Sequence, residues 1–168
     1  MKTSRLLQTS VFILVVIVAG VSAAPAQAGI TPPAKKTVQA DDSNARPPVT
    51  KSDLAIVRRA DQILDSETKW NRADTRVCPD TAKTFSLYCA LEKASKEVDT
   101  FQHRSAVMQE TRFVIDEIAP NRNYDHRLMG YNNDPTTTFA DIKKIIRLTQ
   151  ERIAEKLKDD SKMGKMQK

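Results

Sequence analysis

The sequence predicts an all-α fold, a compact bundle of about four helices with one disulfide and one long irregular loop. Apolar residues recur at intervals of three and four residues in four stretches, and no stretch shows the sustained alternation that is typical of a strand. The prolines between residues 52 and 160 are Pro79, Pro120 and Pro135, and all fall between these stretches. Because proline cannot donate a backbone hydrogen bond, these positions are expected helix boundaries.

The first 28 residues have the pattern of a cleavable secretory signal peptide. Lys2 and Arg5 form a basic start, residues 11–21 are all apolar or glycine, and Ala26-Gln27-Ala28 precedes the expected cut at Gly29. The apolar core is shorter than the roughly 20 residues that span a bilayer. The sequence therefore predicts export rather than a membrane anchor.

Cleavage there leaves residues 29–168 in the periplasm or outside the cell, with no segment that could span a membrane. A cut after Ala23 or Ala24, and an uncleaved N-terminal anchor, are the alternatives. The signal peptide holds two of the 27 basic residues and none of the 21 acidic ones, so the remaining chain keeps a mild basic excess. Its length suits one domain with a real core.

Residues 29–51 are expected to be a disordered linker. They hold four of the eight prolines, in two Pro-Pro pairs, and few large apolar side chains. Such a segment buries too little apolar surface to offset the entropy lost on ordering. A pro-segment or a strap across the domain is the alternative.

A helical domain is predicted over residues 52–160, and its first helix begins at Thr50 and ends near Asp65. Thr50 and Asp53 have the spacing of a capping box, in which two side chains satisfy free amide groups at the helix start. The stripe expected to face the core comprises Leu54, Ile56, Val57, Ala60, Asp61, Ile63 and Leu64.

Cys78 and Cys89 are the two cysteines of the chain, and an exported protein meets an oxidising compartment. We therefore expect a disulfide, which for so short a loop contributes about 2–3 kcal/mol of stability. A reactive thiol or a metal pair is the alternative. Only His103 and His126 could add imidazole ligands, and there is no C-x-x-C, so no zinc site is expected.

The second helix is expected from Pro79-Asp80, with Asp80 as its cap, to about Val98. The positions expected to face the core are Phe85, Cys89, Leu91 or Glu92, Ala94 and Val98. Cys89 would then point inward, and the disulfide would fasten the preceding connection to this helix.

The third helix is expected from about Gln102 to Ala119, and the last begins after Thr138, with Asp141 completing a capping box. The last helix should fray after Asp160 into a basic tail, residues 161–168. The core positions expected on these two helices are Val107, Thr111, Val114, Ile118, Phe139, Ile142, Ile146, Thr149, Ile153 and Leu157.

The interval from Pro120 to Thr137 is long for a connection between helices, and such loops usually carry function or contain a short element. Leu128, Met129 and Tyr131 indicate that it is partly buried, as one helical turn.

A recognisable pattern runs through the helical domain. Its elements are Trp70, the run Cys89-Ala90-Leu91, the pair Asn133-Asp134, and Thr138 followed by Asp141. In this pattern the chain resembles a family of short bacterial domains of unknown function. The resemblance covers most of the helical domain and implies no reaction.

The sequence contains no G-x-S-x-G, no P-loop and no H-E-x-x-H, which are common signatures of catalytic or phosphate sites. It therefore favours a binding or structural module over an enzyme. No cofactor, metal ion or nucleic acid is expected. The partner is open, and a protein or an acidic surface polymer fits the mild basic charge.

A binding surface is predicted where the 121–137 loop meets the polar segment around Trp70, because loops on a rigid scaffold often carry function. The predicted surface comprises Trp70, Asn71, Arg72, Asp125, His126, Arg127, Tyr131, Asn132, Asn133 and Asp134. In the alternative, structural interpretation, Trp70, His126, Met129 and Tyr131 only pack together and close the end of the bundle.

Two enzymatic hypotheses are weaker. A hydrolase could use Cys89 as nucleophile, His126 as base, and Asn133 or Asp134 as the residue that orients the base, but the expected disulfide removes the thiolate. Asp125 and Asp134 could act as an acid and base pair, although the chain has 21 acidic residues from which to choose.

Two further binding hypotheses involve the end of the chain and one turn. The basic tail could contact a polyanion or a membrane surface through Lys156, Lys158, Lys162, Lys165 and Lys168. The run Asn132-Asn133-Asp134-Pro135 could offer oxygens to calcium, but it lacks the spaced acids and glycine of a calcium loop. Turn formation explains that run better.

Overall fold

The structure is a computed structural model that describes residues 46–166, with side chains up to residue 163. The predicted signal peptide, residues 29–45 of the predicted linker and the last two residues lie outside the described residues. Over the described range the protein is all-α, as predicted. The helices are α1 (Lys51–Ile63), a short 3-10 helix (Glu67–Lys69), α2 (Leu87–Val98), α3 (Ala106–Ile118), α4 (Arg127–Asn133) and α5 (Phe139–Met166).

Helix α1 lies at the centre of the bundle, where it packs against α2, α3 and α5. Helix α3 packs on α5 as well, and the short helix α4 contacts α2 and α3. The large apolar side chains that are fully buried between these helices are Val57, Leu64, Leu87, Leu91, Met108, Ile115, Ile142, Ile145, Ile146 and Ile153. Each contributes about 1.5–3 kcal/mol through removal of its apolar surface from water.

The capping box at the start of α1 is confirmed and has a second role. Asp53 Oδ2 accepts hydrogen bonds from the backbone N–H of Thr50 at 2.8 Å and from its hydroxyl at 2.7 Å. Asp53 Oδ1 accepts from the backbone N–H of Val107 at 3.0 Å. One buried carboxylate therefore satisfies free amides at the starts of both α1 and α3.

The capping box of α5 is also confirmed. Thr138 donates its hydroxyl to Asp141 Oδ2 at 2.6 Å, and the Asp141 amide donates back to Thr138 Oγ1 at 3.2 Å. The helix continues to Met166, beyond the fraying expected after Asp160. No proline interrupts this end, and Lys162 lies 3.5 Å from Asp159, an ion pair that supports one more turn.

The expected start of α2 at Asp80 is wrong. Residues 79–86 form a turn and a short extended stretch, and Ser86 caps the helix by accepting from the Cys89 amide at 3.1 Å. The reason is a tertiary contact, since the Phe85 amide donates to the Lys69 carbonyl at 2.7 Å. That bond holds Phe85 in an isolated bridge to Trp70 and prevents an earlier helix start.

Two further expectations for α2 and α3 are corrected. Val98 is 39% exposed rather than buried, because it lies in the last turn of α2, beyond the helices that cover Leu91 and Ala94. Helix α3 begins at Ala106, not Gln102, after the turn that Ser105 closes by donating to the Gln102 carbonyl at 3.0 Å.

Within the described range, no helix is both long enough and apolar enough to cross a membrane.

Candidate binding site

The predicted disulfide is present and joins the segment before α2 to that helix. The sulfur atoms of Cys78 and Cys89 lie 2.03 Å apart, and Cys89 is buried while Cys78 is half-buried. The chain therefore has no free cysteine. The hypothesis of a Cys89 nucleophile fails in this form of the protein, because the sulfur is not available as a thiolate.

Helix α4 occupies the middle of the 121–137 loop, two turns rather than the single turn expected. Its last turn carries Asn132, which is fully buried. Asn132 Oδ1 accepts from the indole N–H of Trp70 at 2.8 Å and from the Leu87 amide at 3.0 Å. Its Nδ2 donates to the Asn71 carbonyl at 2.9 Å and to Asn133 Oδ1 at 3.1 Å. All four bonding positions of the amide are used.

Asn133 continues this polar contact with the segment after Trp70. It exchanges two hydrogen bonds of 2.8 Å with the backbone of Asp74. Asp74 Oδ1 in turn accepts from the Arg76 amide at 2.7 Å, and Arg76 has a φ of 60°, in the left-handed region. These bonds hold Arg76 in a backbone conformation that residues other than glycine rarely adopt.

Asp134 lies in a turn. Its side chain accepts from the hydroxyl and amide of Thr136 and from the hydroxyl of Tyr124. These bonds to Thr136 and Tyr124 lower the pKa of Asp134 to about 2. Arg72 donates to the Asp134 and Pro135 carbonyls. Within residues 46–166 no cluster of acidic, histidine or cysteine side chains could hold a metal ion.

The predicted surface therefore divides in two. Trp70, Asn71, Arg72, Tyr131, Asn132, Asn133 and Asp134 pack or hydrogen-bond at the end of the bundle. Trp70 and Tyr131 are buried there, which agrees with the structural interpretation for this half of the predicted surface. Asp125, His126 and Arg127, in contrast, line a cleft on another side of α4.

This cleft, which we call the arginine cleft, has a volume of about 130 Å³. Its positively charged or titratable basic groups are Arg76, His103, Arg104, Arg112, His126 and Arg127. The other lining residues are Tyr88, Gln109, Asp125, Leu128 and Met129. The basic groups come from four separate parts of the chain, and Asp125 is the one carboxylate among the lining residues within 46–166.

Arg112 is half-buried, as is Arg127, whereas the other basic groups of the cleft are exposed. Its Nη1 donates to the His103 carbonyl at 3.0 Å and to Gln109 Oε1 at 2.6 Å, and its Nη2 lies 3.1 Å from His103 Nε2. All these partners are uncharged acceptors. Burial, followed by the positive charge of Arg127, lowers the pKa of Arg112 to about 10.

His103 is exposed as a residue, but Arg112 and the Tyr88 ring cover part of its imidazole. Burial and the positive charges of Arg112 and Arg76 lower the pKa of His103 below its usual value. At neutral pH the imidazole is therefore uncharged and can accept from Arg112. The Tyr88 hydroxyl lies 3.5 Å from His103 Nδ1. Burial raises the pKa of Tyr88.

Arg127 has a carboxylate partner outside the cleft, since its Nη1 donates to Asp116 at 2.8 Å. It also lies 5.8 Å from the centre of the Phe113 ring, which supports the guanidinium from one side. This anchoring fixes one edge of the cleft in place. An arrangement of positive groups around a small cavity can bind an anion.

Sequence reasoning did not single out five further residues that line the cleft, namely Arg76, His103, Arg104, Gln109 and Arg112. One local signal existed. Arg112 stands between Thr111 and Phe113 in α3, both of which are buried, so a charged side chain interrupts a buried face. No pattern along the chain links Arg112 to the basic residues of other segments, because they meet only through the fold.

A family model described as a family of unknown function (DUF6197) matches residues 48–152. The match includes α1 to α4 and the first half of α5, and it contains every residue that lines the arginine cleft. The chain belongs to this family, which confirms the expectation of a family of unknown function. No curated protein and no solved structure was found to match the chain.

Proposed function

We propose that this protein is an exported binding module that holds an anionic ligand in the arginine cleft. The observation that carries the proposal is Arg112, a half-buried guanidinium whose acceptors are all uncharged. Three of its five N–H donors are used, so two have no acceptor among the described residues. Removing such a cation from water is costly unless a negative charge accompanies it.

The second support is the concentration of positive charge. Arg76 lines the same cavity as Arg112, and among the described residues that line it Asp125 is the one with an acidic side chain. An anion bound there would replace part of the hydration that Arg112 has lost. Because hydrogen bonds from guanidinium groups to anions are stronger than neutral ones, a small number of contacts suffices for specific binding.

Export remains part of the proposal. The N-terminal pattern of residues 1–28 and the Cys78–Cys89 disulfide support it together, since disulfides persist in oxidising compartments. N-terminal sequencing of protein taken from outside the cytoplasm should begin at Gly29. Recovery of the protein in the cytoplasm with Met1 still in place would contradict export.

Neither alternative function gains a comparable observation. The hydrolase loses its nucleophile to the disulfide, and Asp134 lies in the turn with Thr136 rather than opposite Asp125 in the cleft. In the basic tail, Lys156 pairs with the buried Glu110 and Lys162 with Asp159, which reduces the charge free to meet a polyanion.

The binding proposal is tested by nuclear magnetic resonance on the full chain produced through its own secretion route. Inorganic sulfate is titrated at low ionic strength while the backbone amide resonances are followed. We expect saturable shifts at Arg76, His103 and Arg112 that disappear in Arg112→Gln. The matched control is Arg58→Gln, the same charge change at an exposed position of α1 that does not line the cleft.

Two results would contradict the proposal. One is the absence of saturable shifts around the cleft with sulfate. The other is an equal loss of binding in Arg58→Gln, because that would mean non-specific attraction to the basic chain rather than a site.

A further inference from the structure

We infer that the chain supplies its own competitor for the arginine cleft, the carboxylate of Asp42, and that an external anion must displace this carboxylate to bind. Asp42 precedes the described residues, in the segment for which a strap across the domain is the alternative to a disordered linker. The inference rests on the proposed function, since it requires a cleft that attracts anions, and it adds how that site is regulated.

The described chain begins beside the cleft. Arg46 is its first residue, and the Arg46 guanidinium lies 4.0 Å from the centre of the Phe113 ring. The Arg127 guanidinium, which lines the cleft, lies 5.8 Å from the centre of the same ring. Phe113 also directly follows Arg112 in α3. The chain that leads to Arg46 therefore approaches the domain next to the basic groups of the cleft.

Residues 47–50 hold the chain at this point. Val49 is buried in the core, and Thr50 caps α1 through its hydrogen bonds with Asp53. Pro47 and Pro48 have a fixed φ, and the residue before a proline is restricted to extended conformations, so Arg46 is restricted as well. The segment before Arg46 is thus attached to the domain at a defined point.

Asp42 can reach the cleft from this point. It precedes Arg46 by four positions, and an extended chain of that length spans at most about 14 Å. Side chains of an extended chain alternate between two sides, so residues an even number of positions apart share a side. Because Arg46 faces Phe113 on α3, an extended segment directs Asp42 toward α3 and Asp41 away from it.

The charges of the segment and the cleft are complementary. Asp41 and Asp42 are the only acidic residues in the sequence before Asp53. Arg112 keeps two N–H donors without an acceptor among the described residues, and two donors of one guanidinium match the two oxygens of one carboxylate. Arg76 adds an exposed positive charge to the same cleft.

The size of the cleft also suits a side chain. Its volume of about 130 Å³ corresponds to roughly four water molecules. That space accommodates a carboxylate and is well below the roughly 300–1,000 Å³ of pockets for larger ligands.

A carboxylate attached to the chain competes with any free anion. A short linker gives it an effective concentration on the order of millimolar at the cleft. A free anion then binds only to the fraction of molecules in which the cleft is open, and its apparent affinity is reduced by that fraction. Removal of the carboxylate should therefore strengthen the binding of a small anion.

The test compares sulfate binding in two variants that have the same charge change at adjacent positions. Asp42→Asn removes the competitor, and Asp41→Asn is the matched control on the other side of the segment. Sulfate is titrated by nuclear magnetic resonance at low ionic strength into each full chain, produced through its own secretion route. We expect sulfate to bind about fivefold more tightly to Asp42→Asn than to the unchanged chain. Asp41→Asn should stay within about twofold of the unchanged chain.

The backbone amide resonances of residues 41–43 give a second readout. In the unchanged chain they should shift during the sulfate titration with the same midpoint as those of Arg76 and Arg112, because sulfate displaces the carboxylate. They should also shift in Arg112→Gln, which removes the partner of Asp42. They should keep their positions in Arg58→Gln, the same charge change at an exposed position of α1.

The outcomes separate this inference from the proposed function. If sulfate binds saturably and equally to the unchanged chain and to Asp42→Asn, the inference fails while the anion site stands. If Asp41→Asn strengthens binding as much as Asp42→Asn, the segment acts through its total charge, which also overturns the inference. The same holds if residues 41–43 do not respond to sulfate or to Arg112→Gln. If none of the three chains binds sulfate saturably, the proposed function itself fails.

Discussion

Helix α4 contributes to two regions that differ in how their polar groups are satisfied. At its end, Asn132 is buried and uses all four hydrogen-bonding positions of its amide. At its start, His126 and Arg127 line a cleft in which Arg112 keeps two N–H donors without an acceptor among the described residues. The first region stabilises the fold, and the second is the site that we propose for an anion.

Composition does not distinguish the proposed binding surface from the structural one. Residues of both regions lie in the 121–137 loop, and the sequence treats them as one surface. They differ in whether the protein itself completes the hydrogen bonds. A satisfied buried network rigidifies a structure, whereas a buried cation with uncharged partners still gains from an anion.

The largest effect expected from this comparison is the loss of the Asn132 network. Asn132→Ala should reduce the free energy of unfolding by about 3 kcal/mol, because it leaves the Trp70 indole N–H and the Leu87 amide buried without acceptors. Urea denaturation followed by Trp70 fluorescence measures the change.

The matched control is His126→Ala at the other end of the same helix. His126 is exposed, so its replacement should leave stability within about 0.5 kcal/mol of the unchanged chain. If both variants lose the same free energy of unfolding, the two ends of α4 do not differ in their contribution to stability, which would contradict this expectation.

The disulfide gives the next largest effect. Replacing both Cys78 and Cys89 with serine should cost about 2–3 kcal/mol of stability, since the unfolded chain regains the entropy of a short loop. Anion binding should weaken as well, because Arg76 lies two residues from Cys78 on the segment that the disulfide fastens to α2. Calorimetric unfolding and the sulfate titration measure the two effects. A stable variant with unchanged sulfate affinity would refute this link between disulfide and cleft.

The smallest effect concerns pH. The folded-state pKa of His103 is lowered, so its imidazole gains a proton only as the pH falls below its usual range. That proton adds positive charge to the cleft, and sulfate affinity should rise at low pH by about fivefold, or roughly 1 kcal/mol. Conversely, saturating sulfate should raise the His103 pKa, which a titration of its ring proton resonance reports.

The charged groups that act on His103 are Arg76, Arg112, His126 and Glu92. His126 lines the same cleft, so His103→Gln and His126→Gln are compared. The pH effect should persist in His126→Gln and shrink in His103→Gln, and the reverse result would assign it to His126. Without sulfate, the lowered pKa means that the unfolded state binds the proton first. Stability should therefore fall as the pH drops below the unfolded value of about 6.5.

Local patterns in the sequence determined much of the fold. The capping boxes Thr50–Asp53 and Thr138–Asp141, the core stripes of α1, α3 and α5, and the Cys78–Cys89 disulfide follow from spacing, since each depends on nearby residues. Local information also showed that the 121–137 loop is partly buried and unusual, and it marked Asp125, His126 and Arg127 as site candidates.

Only the tertiary structure decided where α2 begins and where the cleft lies. The Phe85–Trp70 bridge, a contact between separate segments, moves the start of α2 to Leu87. No periodicity in residues 79–86 predicts this bridge. The arginine cleft brings Arg76, Arg112 and Arg127 together from three elements. The physical reason is the same in both cases: the deciding interactions join residues far apart in the chain, whose proximity exists only after the helices have packed.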